Sequence, residues 1–172
     1  MGIGGYYPSV GTVASHVVVR YIVDITWARR RSRGRARVES CLFCRIIAGT
    51  TPAHVVHEAG GAVAFLDGFP AARPHVLVVP RIHAPTLLDL DDAAVDELFR
   101  TVKVVQRKVQ SAFQPMGFNV GWNHGQAAGQ HVFHLHVHIL PRYADGGRGV
   151  QLLGTGGDRS ELAALAAALR AA

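Results

Sequence analysis

Gln130-His131-Val132-Phe133-His134-Leu135-His136-Val137-His138-Ile139-Leu140-Pro141 alternates imidazole with aliphatic side chains through its second half. Side chains two apart on a strand share a face. A strand over His131–Leu140 therefore turns His134, His136 and His138 one way and Leu135, Val137 and Ile139 the other, toward a core. Pro141 has no amide proton to give a ladder, so the strand is expected to stop there. A solvated strand face accounts for one such histidine. Three in strict alternation, behind a loop containing glycine, call for chemistry. Neutral imidazole attacks a phosphate ester without bringing charge into the field of its oxygens, and neighbouring rings donate to those oxygens or protonate the leaving group. The rival use of the row is metal ligation.

Upstream, Asn123–Gln130 reads as a polar loop. Gly125 and Gly129 let backbone approach a ligand, and Asn123 and Gln130 offer amide donors; an ordinary turn is the alternative. Asp91–Phe113 carries Val95, Leu98, Phe99, Val102, Val109 and Phe113 at helical spacing, with acids early, bases late, and Pro115 and Gly117 beyond. Short strands are predicted over Ala53–His57, Ala62–Asp67, His75–Val79 and Phe118–Trp122, and a short helix over Ser160–Arg170 with Ser160 as its cap. This order predicts an α+β fold: about five antiparallel strands, one long helix packed on one side, and a short C-terminal helix.

The chain has 172 residues, 49% hydrophobic and 17% charged, enough for one domain with a real core. No apolar run approaches the roughly 18 residues of a membrane helix. Seven arginines before residue 41 face only Asp24 and Glu39, so that stretch holds five of the six net positive charges. The remainder is nearly neutral, which argues against nucleic acid as a partner of the folded part. Three segments are expected: a basic, poorly ordered extension over 1–40, a domain over 41–150, and a tail with a short helix over 151–172. The extension is not a secretory signal, because its apolar patch precedes its arginines. Import targeting, contact with nucleic acid or an anionic surface, and a mis-assigned start stay open for it. The two cysteines, Cys41 and Cys44, are too few to staple a secreted scaffold. They suit a metal site, a redox pair or two buried thiols in a reducing compartment, with cytoplasm the expected location.

Residues 130–140 resemble the signature of the histidine-triad (HIT) family. Phe65-Leu66-Asp67, Pro74–Arg81 and His83 resemble that family's central strands, and Cys41-x-x-Cys44 its bacterial members. The likeness covers Cys41 to Arg142. It implies a nucleotide hydrolase acting at the α-phosphate of purine nucleotide conjugates: nucleoside phosphoramidates, aminoacyl-adenylates or dinucleoside polyphosphates. His136 would be the nucleophile of a covalent nucleotidyl-histidine intermediate, and His138 would assist the phosphate and departing group. Phe43, Ile46 and Phe65 would line the base pocket and Asp67 would hold the ribose. Asn123, Gly129 and Gln130 would contact the phosphate. His131 stands where some members carry a hydroxyl; it either substitutes as a donor or points away, as strand parity suggests. Cys41, Cys44, His83 and His134 would hold a structural zinc, with no cofactor needed for catalysis. The resemblance also implies a homodimer, with the stripe of helix 91–113 as part of its interface. A nucleotide-binding regulatory module with little turnover is the alternative function.

Overall fold

A computed structural model of the protein describes residues 38–144, 152 and 159–172. Positions 1–37 of the expected basic extension, and most of the junction around residue 150, lie outside the described residues. The elements run α1 (Leu42–Ile47), β1 (Val55–Ala59), β2 (Ala62–Leu66), β3 (Val76–Pro80), α2 (Asp92–Phe113), β4 (Gly117–Gly121), β5 (Val137–Arg142) and α3 (Leu162–Ala171). The strands form one antiparallel sheet in the order β1-β2-β3-β5-β4. The α+β architecture expected from the sequence is the one observed.

The long helix begins at an Asp91 cap, whose carboxylate accepts from the Ala94 amide at 2.8 Å. It ends at Gln114, held at φ 47, with Pro115 and Gly117 following. Leu98, Val102, Val105 and Val109 bury its apolar side against the sheet. Phe99 packs edge-on to Trp122 with ring centres 5.8 Å apart. The stripe expected to serve a dimer interface is thus consumed inside the chain, because the sheet needs one face covered. Leu162, Leu165, Ala166 and Leu169 of α3 enter the same core. Ser160 does not cap that helix: the residue before its first turn is Glu161, with no side-chain cap bond.

A smaller cluster covers the opposite face: Phe43 of α1 with Val63, Phe65, Leu77 and Val79 of β2 and β3. Those two strands are buried throughout, as near-continuous apolar runs require. The histidine strand departs from expectation at both ends. It starts at Val137, not His131, and continues through Pro141 to Arg142. β3 pairs with β5 only over Val76–Val78. Its next residues lead into Pro80, which has no amide to donate, and Leu135 N–H instead reaches the Ala84 carbonyl at 2.7 Å. Pro141 is tolerated because beyond Ile139 only β4 flanks β5.

Leu169 is fully buried between α3 and the core. Leu169→Ala is expected to lower the free energy of unfolding by roughly 2–5 kcal/mol in chemical denaturation. A loss below about 0.5 kcal/mol, the scale of a surface change, would show that α3 is not part of the cooperative unit.

Candidate active site

The face opposite α2 holds a cavity of about 550 Å³, the size of a small-molecule site. Phe43 and Ile46 of α1 reach it because α1 lies across β2 and β3; Phe43 meets Phe65 edge-on at 5.4 Å and the His136 ring at 5.1 Å. Asp67, at the end of β2, lines it with Phe69, His131, His136 and His138. His131 is exposed and belongs to the irregular stretch before β5, so strand parity does not govern it, and it joins the other two rings at the cavity wall.

Asn123, Gly129 and Gln130 are not at that wall. They tie their own loop together: Asn123 Nδ2 donates to the Gly129 carbonyl at 3.2 Å, and the Gly125 amide donates to Gln130 Oε1 at 2.7 Å. Gln130 Nε2 donates to the carbonyls of Pro85 at 2.7 Å and Val132 at 3.1 Å. Gly125 and Gly129, at φ 81 and 84, supply the left-handed turns this closure requires.

Proton positions in the imidazole row follow from the partners. His136 Nδ1 lies 2.7 Å from the His134 carbonyl. A carbonyl only accepts, so Nδ1 carries the proton and Nε2 keeps its lone pair. Burial pushes the His136 pKa down, which favours this neutral form, although its bond to the His134 carbonyl and the charge of Asp67 pull the other way. The Ala71 amide donates to His75 Nδ1 at 3.1 Å. The His75 proton therefore sits on Nε2 and is donated to His138 Nδ1 at 2.8 Å. That leaves the His138 proton on Nε2. Among the described residues, this is the buried side-chain polar atom without a hydrogen-bond partner. Burial holds His75 and His138 neutral, each with its pKa down to about 3. The 3.2 Å approach of Asp67 Oδ2 to His75 Nδ1 is consequently no ion pair. His75 was missing from the sequence-derived site. Its place directly before an apolar run made it read as a strand start, and the pairing of Leu77 with His138 is what brings β3 and β5 together there.

Beside this row, Cys41, Cys44, His83 and His134 present four ligand atoms within 4.8 Å of one another. Cys44 Sγ lies 3.3 Å from His83 Nδ1 and 3.5 Å from His134 Nδ1, and Cys41 Sγ lies 3.6 Å from His134 Nδ1. With zinc bond lengths, the sulfur–nitrogen edge of a tetrahedron is about 3.6 Å, so the group fits a metal. His134 Nε2 donates to the Pro80 carbonyl at 2.8 Å, which turns the Nδ1 lone pair toward the thiols, as metal-binding histidines are commonly oriented. Burial and then Cys41 push the Cys44 thiol up to about 12.

A sequence model of the HIT domain matches residues 48–145. "Protein hit" of Bacillus subtilis (strain 168) is 40% identical over 108 residues, covering 63% of this chain and 74% of that protein. Adenosine 5'-monophosphoramidase hnt1 of Schizosaccharomyces pombe is 38% identical over 103 residues, 60% of this chain and 74% of that one. Among solved structures, a zinc-bound histidine triad family protein from Mycobacterium smegmatis superposes with a TM-score of 0.66 at 31% identity. It covers 78% of this chain and 93% of its own.

Two outcomes are expected from this geometry. An unfolded histidine takes up a proton below about 6.5, whereas His75 and His138 resist until about 3. The unfolded chain then binds more protons, so stability is full above the unfolded value and falls as pH drops from 6.5 toward 3. Denaturation at stepped pH should show that slope, and His75→Gln should make it shallower; an equal slope in the variant would refute the assignment. Cys44→Ser should lose bound metal by elemental analysis. Its melting temperature should drop by roughly 5–10 °C, the shift that about 2–3 kcal/mol produces in a domain of this size. Metal-free wild-type protein would refute the site.

Proposed function

The chain belongs to the histidine-triad (HIT) family, and on that premise we propose that it hydrolyses purine nucleotide conjugates at the α-phosphorus through a covalent nucleotidyl-His136 intermediate. One observation carries the reading: the lone pair of His136 Nε2 and the unpartnered N–H of His138 belong to rings lining one cavity. A nucleophile and a donor are both in the protonation state the first step needs.

The base lies in the apolar part of the cavity, among Phe43, Ile46 and Phe65, and Asp67 accepts from the ribose hydroxyls. His136 Nε2 forms a bond to the α-phosphorus as the bond from phosphorus to the leaving group breaks. His138 Nε2–H donates a hydrogen bond to a phosphoryl oxygen or to the departing group, with His75 behind it holding the ring's tautomer, and the departing group takes its proton from water. Water then attacks the same phosphorus and releases one proton to bulk solvent, the nitrogen–phosphorus bond breaks, and His136 returns to its neutral form. Nucleoside phosphoramidates, aminoacyl-adenylates and dinucleoside polyphosphates share this α-phosphorus and differ only in what departs. The hydrolase names of relatives, including the phosphoramidase of fission yeast, support this class of reaction.

Cys41, Cys44, His83 and His134 would hold a structural zinc. Four protein ligands would leave no position for water, so the ion would serve to cross-link the start of α1, the residues after β3 and the segment entering β5. The protein works as a homodimer in the cytoplasm. No helix among the described residues is long and apolar enough to cross a membrane.

His136→Asn is expected to cut turnover of a fluorogenic adenosine phosphoramidate by roughly a thousand-fold or more while nucleotide binding persists. Acid-quenched wild-type enzyme should carry nucleotide on His136 by peptide mass spectrometry. Unchanged turnover in the variant would overturn the nucleophile, and tight binding without any burst would leave a regulatory binding module.

A further inference from the structure

Residues 159–172 lie beyond the stretch that matches the HIT domain, yet they reach the cavity. Leu162, the first residue of α3, lines its wall. Arg159 lays its guanidinium 4.1 Å from the centre of the Phe69 ring, a wall residue that is 61% exposed. The segment is firmly held. Glu161 pairs with Arg73, Lys108 Nζ donates to the Leu169 carbonyl at 3.2 Å, and Arg170 donates to the Val55 carbonyl at 2.9 Å. Among the described residues no carboxylate lies within ion-pair distance of Arg159, and Asp67 Oδ1 accepts from the amide of Phe69, the residue whose ring Arg159 covers, at 2.9 Å.

A nucleotide presents base, sugar and phosphate in that order. If its base lies among Phe43, Ile46 and Phe65 and its phosphorus at His136, its sugar is left for Asp67, whose carboxylate is tied to the Phe69 that Arg159 covers. We propose that Arg159 is a specificity-determining residue that receives a phosphate carried on the ribose, so that this protein takes ribose-phosphorylated nucleotides in preference to plain ones; the proposal rests on the nucleotide reading above. The guanidinium fork matches two phosphate oxygens at once. Stacking on Phe69 holds it flat and reduces the conformational freedom lost on binding. Asp67 then takes the remaining hydroxyl. A carboxylate for the ribose hydroxyl with an arginine for a ribose phosphate is the same division of labour that separates the two nicotinamide dinucleotides in their binding folds.

Titration calorimetry of the full chain against AMP, adenosine 3′,5′-bisphosphate and adenosine 2′,5′-bisphosphate tests this. One bisphosphate is expected to bind the wild type about ten-fold more tightly than AMP, the scale of one charge-assisted fork contact. In Arg159→Ala that ratio should fall to about one, and Arg159→Lys, which keeps the charge and loses the fork, should lie between. A wild-type ratio of one, with AMP binding, overturns the ribose-phosphate subsite and leaves the nucleotide reading standing. So does a ratio that Arg159→Ala leaves intact. Failure of all three ligands to bind overturns both.

Discussion

The hydrogen bond from His136 Nδ1 to the carbonyl of His134, 2.7 Å long, is the contact on which the site turns. It decides which nitrogen of His136 keeps its lone pair, and it exists only because the backbone at 134 is not engaged in a ladder. The same residue faces the two thiols with its side-chain Nδ1 and the Pro80 carbonyl with Nε2. The four-ligand cluster, the turn into β5 and the tautomer of His136 therefore meet in one residue. A structural ion there would act on the reaction without touching substrate, by holding the segment whose carbonyl orients His136.

Behind His138 the protons are ordered by a chain that starts at a backbone amide: Ala71 to His75, His75 to His138. Each ring is neutral because charge is costly where it sits. The chain ends in an N–H that is buried and unsatisfied, a state that costs about 1–3 kcal/mol. A phosphoryl oxygen in the cavity would satisfy it, so part of the cost of folding the site is recovered when ligand binds. Local violations of good packing chemistry belong at functional sites for this reason.

The sheet separates the two tasks. One face is closed by α2 and α3 and supplies the main core; the other carries only the smaller cluster around Phe43 and leaves room for the cavity. Helix α3 links them, since its inner side packs in the core while its first residue lines the cavity and Arg159, just before it, stacks on the wall residue Phe69. On the proposal for Arg159, substrate preference would change at this end of the fold without disturbing the imidazole row.

The alternation over residues 134–139, the periodicity of 91–113 and the apolar runs at 62–66 and 76–79 were local signals, and they suffice for the α+β class, the long helix and the identity of the imidazole row. Such patterns depend only on neighbours along the chain. What the row does with its protons is not local: His75, sixty-three residues before His138, enters through the β3–β5 register. The late start of β5, the turn of Gln130 into its own loop, the arrival of His131 at the cavity and the reach of Arg159 to Phe69 were likewise decided in three dimensions. Each depends on which hydrogen-bond partners a distant segment leaves free, and one-dimensional spacing carries no record of that.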